Sequence, residues 1–200
     1  EESLRKLRTN LRYAGAGIDE GLRSLVVSSC VQDDGKSTIA VNLARVMALA
    51  GQEVILIEGD LRRPRLKRLF NAGKNRPGLA QLLVGATSLE SALVTTPVPG
   101  LRVIFAGDSP PNPSELLGSS RLSELVKYLA ADHVVIIDAP PVLPVTDAVA
   151  LAEHVDGMLM IVRAGRTTSD QLRQAMTTLT RGGGKVIGLV LNQVAVSALG

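Results

Sequence analysis

From residue 23 onward, short aliphatic runs alternate with longer stretches whose apolar positions recur every three or four residues. The runs fall at residues 24–28, 54–57, 101–105, 134–137, 158–162 and 186–191. Four of them are nearly unbroken Val, Ile and Leu. Such runs suit a parallel sheet buried on both faces better than an alternating, half-wetted one. The clearest helices between them lie at 39–50, 145–154 and 171–180, and several helix ends carry their own chemistry. Asn112-Pro113-Ser114-Glu115 reads as an N-cap, a proline at the first helical position and a carboxylate at the third. Thr168 with Gln171 reads as a capping box, and the glycines at 182–184 stop that helix. Strand–helix–strand repetition with right-handed crossovers predicts an α/β fold, a doubly wound, mostly parallel sheet with helices on both faces. Residues 2–13 form an appended helix, with Leu4, Leu7 and Leu11 on one stripe that needs a cover. The expected organisation is this helix with its connector over 1–21 and one α/β domain over 22–200.

Composition narrows the function. Aromatic residues make up 2% of the 200 positions, so the core is aliphatic. Rows of stacking rings, as in single-strand or RNA binders, are excluded, and no nucleic-acid partner is expected. The single cysteine, Cys30, excludes a disulfide framework and suits a reducing compartment. His133 and His154 stand well apart, which argues against a His-rich metal centre. The net charge of +3 is a weak bias, with 22 basic against 19 acidic residues. The densest basic patch, Arg62, Arg63, Arg65, Lys67 and Arg68, suits phosphate, lipid headgroups, an acidic partner, or simply a solvated helix face. No apolar run approaches the ~18 residues of a membrane span. The chain opens on Glu1-Glu2, which leaves room for a membrane anchor outside it.

Candidate chemistry begins at Ser28-Ser29-Cys30-Val31-Gln32-Asp33-Asp34-Gly35-Lys36-Ser37-Thr38, between the first strand and a helix. Gly35-Lys36-Ser37 ends like a P-loop, in which backbone amides wrap phosphates, the lysine neutralises charge and the hydroxyl ligates magnesium. Cys30 takes the place of the first glycine, and Asp33 stands where a second is common. Taken alone, the loop fits a P-loop and a chance strand–helix turn equally well. Two further strands shift the balance. One ends in Glu58-Gly59-Asp60-Leu61-Arg62 and another in Asp138-Ala139-Pro140-Pro141. Acids at the carboxyl ends of parallel strands project into the same crevice as the loop. A single acid there reads as a helix cap; three such features in order read as a magnesium–nucleotide site.

These motifs resemble those of the bacterial tyrosine autokinases that control capsule and exopolysaccharide synthesis, relatives of the division-site and partition ATPases. Ile55-Leu56-Ile57-Glu58-Gly59-Asp60-Leu61-Arg62-Arg63-Pro64 is similar to the family's second Walker motif. Pro110-Pro111-Asn112-Pro113-Ser114-Glu115-Leu116-Leu117 and Asp138-Ala139-Pro140-Pro141-Val142-Leu143-Pro144-Val145-Thr146-Asp147-Ala148 are close to its most distinctive segments. The resemblance implies an ATP- and Mg2+-dependent protein-tyrosine kinase domain of the P-loop NTPase fold. It assigns phosphate binding to Gly35, Lys36, Ser37 and Thr38, in a loop that includes Asp33 and Asp34, and magnesium to Ser37, Asp60 and Asp138. Glu58 takes the place of an acid thought to help deprotonate the tyrosine, and Asn192 matches an asparagine that reads adenine. Glu2, Arg5 and Arg8 match an N-terminal oligomerisation motif. The implied partners are a ring-like homo-oligomer, a membrane-anchored activator segment or protein, and a tyrosine-bearing acceptor. The implied location is cytoplasmic, at the inner face of the plasma membrane. The family's tyrosine-rich tail has no counterpart in residues 193–200.

Two other functions share these residues: a non-kinase ATPase switch, and a regulatory module that binds nucleotide weakly and works by assembly. The lack of a Gly-x-Gly-x-x-Gly after the first strand argues against a dinucleotide oxidoreductase. Four local expectations complete the reading. Asp34 points outward, Asp33 turns to solvent from a glycine-like conformation, and Tyr13 and Tyr128, the only tyrosines, pack on amphipathic helices.

Overall fold

The computed structural model describes residues 2–14, 21–73 and 76–194. The strands are β1 (Ser24–Ser29), β2 (Val54–Glu58), β3 (Leu93–Thr95), β4 (Leu101–Ile104), β5 (Val134–Asp138), β6 (Gly157–Arg163) and β7 (Val186–Asn192). The helices are α1 (Glu2–Ala14), α2 (Lys36–Ala48), α3 (Leu66–Leu69), α4 (Leu79–Leu83), α5 (Leu89–Ala92), α6 (Pro113–Leu117), α7 (Ser120–Ala130), α8 (Asp147–Ala152) and α9 (Ser169–Arg181). The strands form one sheet in the order β3-β4-β2-β5-β1-β6-β7. All pairs are parallel except β3 with β4. The six expected strands are therefore present; β3 is an addition to the sequence reading.

Alternation along the strands divides the interior into two cores. Val26, Ile55, Ile57, Val135 and Ile137 face α7 and α8, with Leu122, Val126, Ala148 and Leu151 packed against them. Leu25, Val27, Val54, Leu56 and Ile136 face α2, with Ala40, Leu43, Ala44 and Met47. Every residue of β1, β2 and β5 is buried, as continuous aliphatic runs require. The strand after α2 lies on one side of β1 and the strand after α8 on the other. Such a switch opens a crevice beyond the carboxyl ends of the strands.

The stripe of α1 finds its cover on α2: Leu11 is buried and Leu7 packs into the same core. The capping box at α9 is present, with Thr168 accepting from the Gln171 amide and Gln171 returning to the Thr168 amide. Pro113 occupies the first turn of α6, but Asn112 differs from the expected cap. Its side-chain amide donates to Glu115 Oε2 at 2.6 Å instead of serving the helix backbone.

Candidate functional site

β1 delivers the chain into the loop 30–35, and α2 begins at Lys36. Gly35 at its head has φ 95°, in the left-handed region that favours glycine. No side chain caps α2, so the amides of its first turn are open to an anion. The far wall of the loop is Asn192, at the end of β7, whose Nδ2 donates to the Asp34 carbonyl at 2.9 Å. A Cβ on Gly35 would lie 2.2 Å from that nitrogen, so glycine is required twice over.

The two adjacent acids of this loop part company. Asp33 adopts φ 64°, the conformation expected of the glycine it replaces. Its carboxylate is half exposed and pairs with Arg65 at 2.9 Å, which holds its pKa below the usual range. Arg163 donates to the Asp33 carbonyl at 3.2 Å. The sequence reading of Asp34 as outward-pointing is corrected: its side chain is fully buried. Folded beneath the loop, it brings Oδ2 to 3.5 Å from the Val31 amide, while Oδ1 has no hydrogen-bond partner among the described residues. Cys30 is buried beside it, and burial, reinforced by Asp34, raises the thiol pKa to about 11.

β2 and β5 are neighbours in register, Glu58 beside Asp138, so both strands end at one level next to the loop. The Lys36 ammonium lies 3.2 Å from Asp60 Oδ2, 3.5 Å from Asp138 Oδ1 and 3.3 Å from Ser37 Oγ. Burial pushes the Asp138 pKa up, while Lys36 and Ser37 pull it down. Asp138 Oδ1 is buried and, despite the nearby ammonium, makes no hydrogen bond among the described residues. One hydroxyl and two carboxylates thus converge on a cation, with one buried oxygen still unsatisfied. That oxygen-only donor set fits Mg2+, which takes one or two carboxylates and completes its shell with phosphate and water.

Glu58 is placed differently from the residue that its motif implies. It is fully buried; Oε1 accepts from the amides of Arg65 and Leu66, both at 2.5 Å, and Oε2 from Ala106 at 3.0 Å. Burial raises its pKa, against those three hydrogen bonds. It is a strut beneath the loop 59–65, and the deprotonating role implied by resemblance does not fit a carboxylate so enclosed. Asp60 instead lines the crevice, its Oδ1 fixed by the Arg63 amide at 3.0 Å.

The crevice is a cleft of ≈230 Å3 walled by Gly35, Lys36, Ser37, Thr38 and Asp60 on one side and by Arg63, Arg65, Arg68 and Leu69 on the other. Sequence reasoning singled out the arginines as a basic patch without placing them here. Asn192, expected to read adenine, spends its amide nitrogen on the loop, and Gln193 lines the cleft instead.

The Walker-like segment 55–64 and the two most distinctive segments meet at one ion pair that their spacing did not disclose. Arg62 clasps Asp147 through Nε at 2.8 Å and NH2 at 3.1 Å. Ser114 donates to the same carboxylate and lies 3.2 Å from Thr146 Oγ1. Asp147 is fully buried, so the loop carrying Asp60 is tied to the heads of α6 and α8.

On α1, Glu2 pairs with Lys6 at 2.9 Å, Arg5 is exposed, and Arg8 reaches the Val46 carbonyl on α2 at 3.5 Å. Tyr13 and Tyr128 are 76% and 71% exposed, so the expectation that they pack is corrected. Each sits on the solvent side of its helix, whose core side is filled by Leu11 on α1 and by Leu122, Val126 and Leu129 on α7. Among the described residues, no helix is long and apolar enough to cross a membrane.

Comparison with known proteins agrees with this geometry. The profile of the CobQ/CobB/MinD/ParA nucleotide binding domain matches residues 32–200. Tyrosine-protein kinase YwqD of Bacillus subtilis is 36% identical, over 96% of this chain and 80% of that protein. The putative tyrosine-protein kinase CapB of Staphylococcus aureus is 33% identical, over 98% and 85%. Tyrosine-protein kinase ptk of Acinetobacter johnsonii is 39% identical, but the chain spans only 27% of its length. The kinase domain of Escherichia coli tyrosine kinase ETK superposes with a TM-score of 0.89 at 32% identity, over 98% of this chain and 77% of that one. MinD of Pyrococcus horikoshii, complexed with Mg-ADP, shares the fold with a TM-score of 0.71 at 19% identity, over 84% and 69%.

Proposed function

The chain belongs to the CobQ/CobB/MinD/ParA nucleotide-binding family and, within it, to the bacterial tyrosine-protein kinases, and on that premise we propose that it transfers the γ-phosphoryl group of ATP to a tyrosine hydroxyl. The observation that carries this is the convergence of Ser37, Asp60 and Asp138 on the ammonium of Lys36 at the head of α2. The amides around Gly35, Ser37 and Thr38 cradle the polyphosphate, and Lys36 supplies positive charge beside it. Ser37, Asp60 and Asp138 would hold Mg2+, which supplies charge neutralisation across the phosphate oxygens. A tyrosine hydroxyl has a pKa of ~10 and needs a base near it. Asp60, which lines the cleft, is the carboxylate placed toward that proton, and Glu58 positions the loop that carries it.

Tyr13 and Tyr128 lie on helix surfaces, and in this reading the acceptor is a tyrosine-bearing protein segment outside residues 1–200, from the same protein or another. Glu2, Arg5 and Arg8 make the contacts of a ring-like homo-oligomer. A membrane-anchored activator segment or protein holds the assembly at the cytoplasmic face of the plasma membrane, where it controls synthesis or export of an extracellular polysaccharide. Asp33, an acid within the phosphate loop, favours a second reading, a module that binds nucleotide weakly and acts by assembly.

Incubation with ATP, Mg2+ and a tyrosine-rich peptide, read by mass spectrometry, separates these functions. Phosphotyrosine formed by the chain and lost in Asp138→Asn supports the kinase. ATP hydrolysis without phosphotyrosine identifies an ATPase switch, and a calorimetric titration with no heat of nucleotide binding identifies the assembly module.

A further inference from the structure

A second, open groove of ≈340 Å3 adjoins the cleft, lined by Arg63, Pro64, Arg65 and Arg68. The same three arginines line the phosphate cleft, so the two spaces share one wall. Their charges are unequally met. Arg65 is neutralised by Asp33 at 2.9 Å. Arg63 donates to the neutral side-chain oxygen of Gln32 at 2.8 Å, which leaves its charge uncompensated. Arg68 is exposed and takes part in no ion pair among the described residues.

The groove is also held in place. Asp60 fixes the Arg63 amide and buried Glu58 fixes the Arg65 amide, while the Pro64 ring restricts the backbone between them. Two uncompensated guanidiniums, Arg63 on this fixed loop and Arg68 on α3 directly after it, suit planar carboxylates, which arginine grips through paired hydrogen bonds. An occupant of this groove lies next to Asp60 and Lys36, where a hydroxyl would receive the transferred group.

We propose that Arg63 and Arg68 form the docking site for an acidic acceptor segment, in which carboxylates flank the reactive tyrosine. The proposal rests on the kinase reading above and names the substrate class of that site.

The test compares a labelled peptide of one tyrosine flanked by glutamates with an equally long peptide flanked by serines. Binding is read by fluorescence anisotropy and transfer by steady-state kinetics with ATP and Mg2+. The native chain should prefer the acidic peptide by about tenfold in kcat/KM, since each exposed pair is worth up to about fivefold. The preference should shrink as salt is added. Arg63→Ala/Arg68→Ala should bring the ratio to about one, and Arg68→Glu should lower it in the same direction. An unchanged ratio in the double variant overturns the proposal. So does a rise confined to the KM for ATP, which would assign the arginines to the nucleotide. If the native chain phosphorylates neither peptide yet binds the acidic one through these arginines, the kinase reading fails and the docking site stands. If it binds neither, both fail.

Discussion

The Nδ2 atom of Asn192, the last residue of β7, donates to the carbonyl oxygen of Asp34 and stands 2.2 Å from where a Cβ on Gly35 would project. An edge strand of the sheet is thereby locked to the loop that opens α2. Gly35→Ala would meet that nitrogen and also strain a φ of 95°. Left-handed strain alone costs about 1–3 kcal/mol. We expect nucleotide affinity to fall at least about tenfold with far-UV circular dichroism unchanged. Asn192→Ala in the same chain should recover only part of the loss, because it relieves the contact and not the backbone.

Asp33 supplies the second prediction. Its left-handed conformation suits glycine, and its charge lies in a loop meant for a polyanion. Arg65 offsets that charge at 2.9 Å. Asp33→Gly removes the strain and the acid together and frees Arg65. Calorimetry should show ATP binding several-fold tighter, with the gain shrinking at high salt. Equal or weaker binding by the variant would mean that the Asp33–Arg65 pair shapes the loop for nucleotide.

Arg62 and Asp147 are unequal partners. Asp147 is fully buried, whereas the Arg62 side chain is 43% exposed. Removing the arginine strands a buried carboxylate, at a cost of about 3 kcal/mol or more. Removing the acid leaves a guanidinium that water can reach. Denaturant midpoints should therefore fall further for Arg62→Ala than for Asp147→Asn. The reverse order would show that the network around Ser114, rather than the ion pair, holds the three segments together.

Glu58 gives a pH dependence. Burial raises its folded-state pKa above the ordinary ~4.3, so its contribution to stability is complete below that value and is lost as pH rises through the raised one. Glu58→Gln abolishes this titration and turns an NH2 donor toward backbone donors, leaving one or two amides unpaired at about 1–3 kcal/mol. The gap in Tm between native chain and variant should be widest at acid pH and narrow as pH rises. A constant gap would show that Glu58 does not titrate in that range.

How far this could be read from the sequence depends on the kind of interaction. Val54-Ile55-Leu56-Ile57 and Val134-Val135-Ile136-Ile137 announce buried parallel strands, because only a sheet covered on both faces tolerates such runs. Lys36, Ser37, Asp60 and Asp138 follow from strand ends and motif spacing, and the fold gathers them within reach of one ammonium. β3 escaped notice because Leu93–Thr95 is three residues long, too short for any periodicity to register. The inward turn of Asp34 and the enclosure of Glu58 depend on backbone amides, and every residue except proline carries one, so no residue pattern marks them. Tyr13 and Tyr128 occupy amphipathic helices, but burial depends on which side meets the rest of the domain, and aliphatic residues such as Leu11, Leu122 and Val126 fill that side.

Cys30 is the chain's only thiol, and it lies sealed under the phosphate loop with its pKa raised to about 11. At neutral pH the group is held as the thiol, and the thiolate is the reactive form. An alkylating reagent therefore reaches this sulfur only during moments when the loop comes apart. The rate of its modification is a clock for those openings, running without any added label, and a bound nucleotide should slow it.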